Sequence, residues 1–213
     1  MTVSQIPDGV QVDWPPEQYA QGESTGMSGH HPHALPLTQV PASPPRVLGI
    51  DPGLNITGYG VLEVAAGVPL LCEAGVIRGR TKGSLTARIQ EIYEGVRDVV
   101  QSLRPAAVAV EQLYSHYQRP RTAILMGHAR GVILLAAAQS GVPVFHYPAT
   151  QIKSMMTGHG HAGKNQMQQA VQLELRLSTL PQPPDVADAL AIALCHYYRQ
   201  PAWMAITRQN SAS

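Results

Sequence analysis

Four carboxylates stand where a carboxylate is costly. Asp51 closes the short apolar run "RVLGID", and Glu111 closes a second one, "AAVAVE". Asp185 and Asp188 lie three residues apart in "PPDVADALAIALCHYYR", a spacing that puts both on one face of a helix. That segment is otherwise apolar around Ala187, Ala189, Leu190, Ile192 and Ala193, so the pair points toward packed protein. Taking a carboxylate out of water costs several kcal/mol unless something compensates. If Asp51 and Glu111 end side by side in one sheet, repulsion adds about 4 kcal/mol at ~4 Å and an effective dielectric near 20. Salt bridges would offset these costs, but almost no Lys or Arg lies near the four positions in sequence. Divalent cations are the simpler compensation, since Mg2+ takes a few carboxylates and keeps several waters. Two such ions ~3.5–4 Å apart suit in-line displacement at phosphorus. At this level, scattered surface acids stay open as the other reading, and so does a helix N-cap role for Asp185.

The elements that must carry these residues are legible from pattern. Strands are expected at 46–51, 57–64 and 69–78, the last two joined by the turn signal "AAGVP". In "SLTARIQEIYEGVRDVVQSL" the residues Leu85, Ile89, Ile92, Val96, Val99 and Leu103 share one helical face; Ser84 is a natural N-cap and Pro105 ends the helix. "AAVAVE" is a continuous apolar strand of the kind buried on both faces. A long helix over about 119–140, the strand "PVFHYP", and helices near 149–157 and 163–178 follow. The final helix, with prolines at its start, carries the acidic pair. The order βββαβαβ plus helices predicts an α/β domain, a mixed sheet flanked by helices.

Composition bounds the rest. The 213 residues suit one domain with a substantial core. Residues 1–45 hold Asp8, Asp13, Glu17 and Glu23 and no Lys or Arg, whereas residues 46–213 hold all 15 basic and the remaining 10 acidic residues, a balance of +5. The first segment is rich in Pro, Gly, Ser, Gln and His and without periodicity, so residues 1–45 are expected to be a disordered acidic tail. Its His30, His31 and His33 are read as unstructured polar tail, and Met27 is an alternative start. Residues 46–203 form the expected folded domain and 204–213 a loose C-terminal tail. A mildly basic body is compatible with a polyanionic partner. No apolar run approaches the ~20 residues that span a bilayer, and no basic region followed by an apolar stretch opens the chain. Cys72 and Cys195, in no ligand spacing, are expected to be two buried thiols in a reducing cytoplasm.

Four segments carry a resemblance: "GIDPGLNITGYGV", "AVEQLY", "GHARGVILLAAAQSGVPVFHYPATQIKSMMTGHGHAGKNQM" and "DVADALAIALCH". In that order, from about Val47 to Tyr198, they resemble the RuvC family of bacterial Holliday-junction resolvases. The resemblance implies a ribonuclease-H-like fold with a five-stranded mixed sheet, its first three strands antiparallel. It implies a cytoplasmic homodimer that nicks opposed strands of four-way junction DNA symmetrically in recombination and repair, leaving 5′-phosphate and 3′-hydroxyl ends. It also implies the RuvA–RuvB branch-migration complex as a partner. Asp51, Glu111, Asp185 and Asp188 match the family's catalytic acids, implied to hold two Mg2+ per active site, with Mn2+ as a substitute. Lys164 matches a family lysine near the active site, and Lys153 a basic DNA contact. Tyr114 stands where the family has a phenylalanine; it keeps a face that can stack on bases, and Tyr117 is a second candidate. Arg119 and Arg121 lie in a loop able to grip backbone phosphates. His159 and His161 belong to a Gly-rich loop expected to face DNA, and His196 is expected to be a plain helix histidine. "GIDPG" also opens actin-like ATPases and sugar kinases, but those need a second such domain. A catalytically silent junction-binding protein, or a ribonuclease-H-like nuclease of other preference, completes the alternatives.

Overall fold

The computed structural model describes residues 44–79, 83–113 and 120–200. The expectations for residues 1–43, including His30, His31 and His33, and for Tyr114, Tyr117, Arg119 and residues 204–213 lie outside them.

Among the described residues, five strands form one sheet: β1 (Arg46–Asp51), β2 (Ile56–Ala65), β3 (Val68–Arg78), β4 (Ala107–Gln112) and β5 (Val144–Pro148), in the order β3-β2-β1-β4-β5. β1 to β3 run antiparallel, and β4 and β5 lie parallel beside β1. Helices α1 (Leu85–Leu103), α2 (Pro120–Gln139), α3 (Ala149–Thr157), α4 (Lys164–Glu174) and α5 (Pro184–Arg199) complete the domain. The mixed α/β architecture is the one expected from sequence.

Side chains of a strand alternate between faces, and here the two faces feed two separate cores. Leu48, Ile50, Val61, Val108 and Val110 pack with Ile92, Val96 and Val100 of α1 and Ala129 and Ile133 of α2. Val47, Leu62 and Ala109 pack on the other side with α5, behind which Ile152, Met167 and Val171 of α3 and α4 close the layer. Fully burying a side chain such as Ile92 or Ile133 contributes ~1.5–3 kcal/mol. α5 is covered nearly all round from Val186 to Tyr197, so it is a core helix rather than a surface one.

Local signals set the boundaries. The Ser84 hydroxyl accepts from the Ala87 amide at 3.2 Å, capping α1, and Arg104 in the left-handed region closes it just before Pro105. The helix buries Val100 where the sequence suggests Val99, and Leu85 is exposed. α4 stops at Glu174, short of the expected 178. Arg176 turns to φ +51°, and the Gln168 side chain donates to the Pro181 carbonyl at 3.0 Å, drawing the next segment back along the helix. Cys72 is exposed on the edge strand β3, against the expectation of two buried thiols, because β3 turns most of its side chains to solvent. Cys195 is buried as expected, and burial pushes its thiol up to about 11.

α2 is the one helix among the described residues that bears on the expectation of no membrane span. Arg121–Gln139, with a mean hydropathy of 1.3, is long and apolar enough by length and composition to cross a membrane. Yet Ala129, Ile133, Ala136 and Ala137 lie fully buried in the core of the α1/α2 face, and Arg130 sits mid-helix, where a bilayer would make it costly. It is the helix that covers the sheet.

Candidate active site

β1 and β4 run parallel with Ile50 beside Val110, so the next residue on each strand brings Asp51 beside Glu111. Asp51 follows Val47 and Gly49 onto the α5 face, and Glu111 follows Ala109 there. Strand spacing alone would therefore hold the two carboxylates ~5 Å apart at their backbones.

Glycines bring the second pair to them. A Cβ on Gly49 would lie 2.2 Å from the Ala189 carbonyl oxygen, and one on Gly58 would lie 2.1 Å from that of Asp185. Gly58 is the register partner of Asp51, and Gly49 pairs with Gly60. The sheet thus lacks side chains along the track of α5, and the backbone of the helix settles onto the backbone of β1 and β2. That contact sets the start of α5, with Asp185 in its first turn and Asp188 in the next, against the end of β1. Asp185 lies within this turn but is not the cap: Pro183 holds the N-cap position, without a side-chain hydrogen bond, and Pro184 follows. The N-cap expectation for Asp185 therefore fails, because a proline occupies that place. Asp185 still sits where the helix dipole favours negative charge.

The carboxylates feel one another. Burial first, then the charges of Glu111, Asp188 and Asp185, raise the Asp51 carboxyl well above its ordinary range. Burial and Asp188 push Glu111 up to about 7. Asp188 is raised mainly by burial, with Asp185 adding to it. Two lysines oppose these effects. Lys164, the first residue of α4, acts on Asp51 and Asp188, and Lys153 of α3 acts on Glu111 and Asp188. Two cations against four anions leave negative charge over, and among the described residues none of the four carboxylates forms an ion pair. Nor are three such groups gathered at ligand spacing among those residues. An all-oxygen donor set with uncompensated charge and raised proton affinity fits a hard divalent cation, which would displace the protons.

Supporting contacts escaped the sequence reading. Thr57, fully buried, donates its hydroxyl to the Gly53 carbonyl at 2.7 Å and so ties the turn that leaves Asp51. Arg130 donates from Nε to the Glu111 carbonyl oxygen at 3.3 Å and from Nη2 to His146 Nδ1 at 2.9 Å. A lone arginine inside the apolar run "AILMGHARGVILLAAA" was the available signal. His196 is more than a plain helix histidine. Fully buried, its Nδ1 is 2.9 Å from the Tyr147 hydroxyl, and its ring lies against Phe145, binding α5 to β5. Burial lowers it to about 4, so the ring is neutral. Arg121 is exposed in the first turn of α2, and His159 and His161 are exposed between α3 and α4.

Comparison with known proteins converges on one family. The family model described as "Crossover junction endodeoxyribonuclease RuvC" matches residues 47–196. The RuvC crossover junction endodeoxyribonuclease of Rhodopirellula baltica is 54% identical over 164 residues, covering 76% of this chain and 91% of the relative. That of Chloroflexus aggregans is 44% identical over 156 residues, covering 73% and 94%. Among solved structures, Thermus thermophilus RuvC in complex with Holliday junction substrate superposes with a TM-score of 0.68 at 38% identity, covering 76% of this chain and 96% of that one. The yeast mitochondrial Holliday junction resolvase, 16% identical with a TM-score of 0.53 over 81% of this chain and 83% of its own, shares the fold.

Proposed function

The chain belongs to the RuvC family of Holliday-junction-resolving endodeoxyribonucleases, and we propose that Asp51, Glu111, Asp185 and Asp188 are the metal ligands with which it cuts junction DNA. One observation carries this reading: four carboxylates from β1, β4 and α5 converge, and burial together with their charges raises the proton affinity of Asp51, Glu111 and Asp188, only partly offset by Lys153 and Lys164. The family's nucleases are metal-dependent; the metal here is Mg2+, two per site, with Mn2+ as a substitute. Held by these carboxylates, the metal would supply a nucleophilic water at neutral pH and charge stabilisation for the leaving 3′ oxygen. The chain's own part is to fix the ligands on strand ends and on the first two turns of a buried helix, where the scaffold is rigid. Lys164, exposed at the start of α4 and beside Asp51 and Asp188, is placed to hold a scissile phosphate and to offset charge in the transition state. Lys153, Arg119 and Arg121 contact DNA phosphates, and Tyr114 stacks on a base at the opened junction. The products are 5′-phosphate and 3′-hydroxyl ends.

Paired nicks need two sites, so the enzyme acts as a homodimer. The outer face of α2 suits a second copy: Ile124 and Leu135 are 62% and 49% exposed, and Gly127 and Gly131 have no neighbour within 4 Å of where a Cβ would stand. The RuvA–RuvB branch-migration complex is the proposed partner, and the cytoplasm the proposed compartment. Residues 46–203 make up the nuclease domain, with the acidic tail outside it.

A synthetic four-way junction tests the proposal. With Mg2+ it is expected to be cut by paired symmetric nicks while linear duplex is nearly untouched, and chelation stops the cutting. Equal cutting of linear duplex or of RNA–DNA hybrid overturns junction specificity, and cutting that survives chelation overturns the metal.

A further inference from the structure

We propose that Arg130 is a positioning residue for the cut, holding Glu111 in place from the opposite side of the sheet; this rests on Glu111 being a metal ligand. Arg130 rises from the middle of α2 between the buried Ala129 and the core residue Ile133. Nε donates to the Glu111 carbonyl oxygen at 3.3 Å, and Nη2 donates to His146 Nδ1 at 2.9 Å. An arginine has donors only, so His146 must present an unprotonated Nδ1 and carry its proton on Nε2. Burial and the neighbouring guanidinium lower the proton affinity of His146, in keeping with that tautomer.

Register explains the geometry. Val110 pairs with His146 and Glu111 with Tyr147. Val110 packs into the α1/α2 core and Tyr147 into the α5 core. His146 therefore looks toward α2, and the Glu111 side chain looks toward α5. One guanidinium thus clips the last rungs of β4 to β5 from behind, while the Glu111 carboxylate faces its like-charged neighbours in front. β4 ends one residue later, at Gln112, where a strand would otherwise fray. Asp188 pushes against the Glu111 carboxylate, so a backbone anchored from behind keeps that repulsion from displacing the strand end. Desolvation lowers the proton affinity of Arg130, a cost its two partners offset.

The test is Arg130→Ala in the full-length protein. Junction affinity without divalent metal is expected to stay within ~2-fold of wild type. The kcat of cutting is expected to fall, and the Mg2+ concentration for half-maximal cutting to rise, each by ~10–100-fold, as when a group supporting a metal ligand is removed. In the metal-free protein, amide hydrogen exchange at residues 110–112 is expected to speed up while the rest of the sheet keeps its protection. Arg130→Lys, which keeps a charged donor, is expected to recover part of the loss. Wild-type kcat and Mg2+ demand in Arg130→Ala overturn the inference, as does a loss that is entirely in junction affinity. If Arg130→Ala does not fold, His146→Ala on the edge strand carries the test: a Mg2+ demand raised about 3-fold or more supports it, and an unchanged one overturns it. Glu111→Gln separates the two levels. If Glu111→Gln is inactive while Arg130→Ala is unimpaired, only the positioning role fails; if Glu111→Gln cuts normally, the ligand assignment fails with it.

Discussion

The two faces of the sheet are closed in opposite ways. Toward α1 and α2, contact is made by side-chain volume: Leu48, Ile50, Val61, Val108 and Val110 meet Ile92, Val96 and Ile133. Toward α5, contact is made by omission. Gly49, Gly58 and Gly60 present no side chain, and Ala189 and Ala193 present almost none. Side chains of aspartate are short, so Asp185 and Asp188 reach the end of β1 only if their helix lies close to the sheet. A face packed with leucine and valine would hold the helix off and leave the four acids in separate waters. The glycines are thus part of the site, although none of them can bind anything. Gly49, Ile50 and Asp51 express the contrast in three consecutive residues: approach, volume, charge.

The largest effect is expected at the first of these. In Gly49→Val the new Cβ would stand 2.2 Å from the Ala189 carbonyl oxygen and 2.6 Å from the Ala193 amide nitrogen. Both are backbone atoms of a buried helix and cannot rotate aside, so the loss is expected to exceed the ~1–3 kcal/mol usual for overpacking. Thermal melting should show no cooperative transition near that of wild type. A variant that melts within ~1 kcal/mol of wild type would break the close-approach account. Asp51→Asn comes next, with the shape kept and the charge removed. Cutting is expected to fall by at least ~10³-fold, about 4 kcal/mol of transition-state stabilisation. Junction binding should survive, and stability should rise, because a carboxylate crowded by burial and three like charges has been neutralised. Loss of binding in parallel would assign Asp51 a structural role instead.

Much of this contrast was visible in the sequence, though not evenly. An acid ending an apolar run is conspicuous, so Asp51 and Glu111 stand out, and the three-residue spacing places Asp185 and Asp188 on one helix face. Strand and helix periods give the order of elements. The glycines of β1 and β2 are different. "LGID" and "TGYG" read as weak strand positions, and only the packed structure reveals that their missing side chains face the backbone of a helix more than a hundred residues away. Arg130 was hidden for a similar reason. Its role depends on a carbonyl 19 residues earlier and a histidine 16 residues later, brought together by parallel strands whose pairing no local pattern encodes. Lys153 and Lys164 are each more than twenty residues from all four acids in sequence, so charge compensation looked scarcer than it is. The Asp185 cap failed because a helix that starts on two prolines leaves the aspartate one step inside.

Glu111→Gln sharpens the comparison from the electrostatic side. The folded-state value of about 7 lies above the ordinary 4.5, through burial and Asp188, against the pull of Lys153. A raised carboxyl contributes stability that is complete below pH 4.5 and is lost as pH climbs through 7. In the metal-free wild type this group should therefore cost about 3 kcal/mol by pH 8. Glu111→Gln removes that dependence. Denaturant unfolding with a chelator should show the two proteins equal near pH 4 and the variant more stable at pH 8. Cutting by wild type at limiting Mg2+ should also fall below pH 7, where proton and metal compete for the same oxygens. Equal stabilities at both pH values would mean the carboxylate is freely hydrated, and the α5 face would lose its claim to be charged and closed at once.

Ile50→Val is the smallest change and the cleanest control on the other face. Ile50 is fully buried next to Asp51 in sequence, yet its side chain packs with α1 and α2. Removing one methyl group there leaves a small void in a face that packs by volume, at a cost of about 1 kcal/mol. For a domain of this size that lowers the melting temperature by ~2–4 °C. The backbone of β1 is held on both sides by ladder bonds to β2 and β4, so the void has no route to the carboxylates. Cutting of the junction should stay within ~2-fold of wild type at saturating Mg2+. If cutting drops as sharply as stability is spared, the two faces communicate through β1. The sheet would then be transmitting packing strain into the site rather than insulating it.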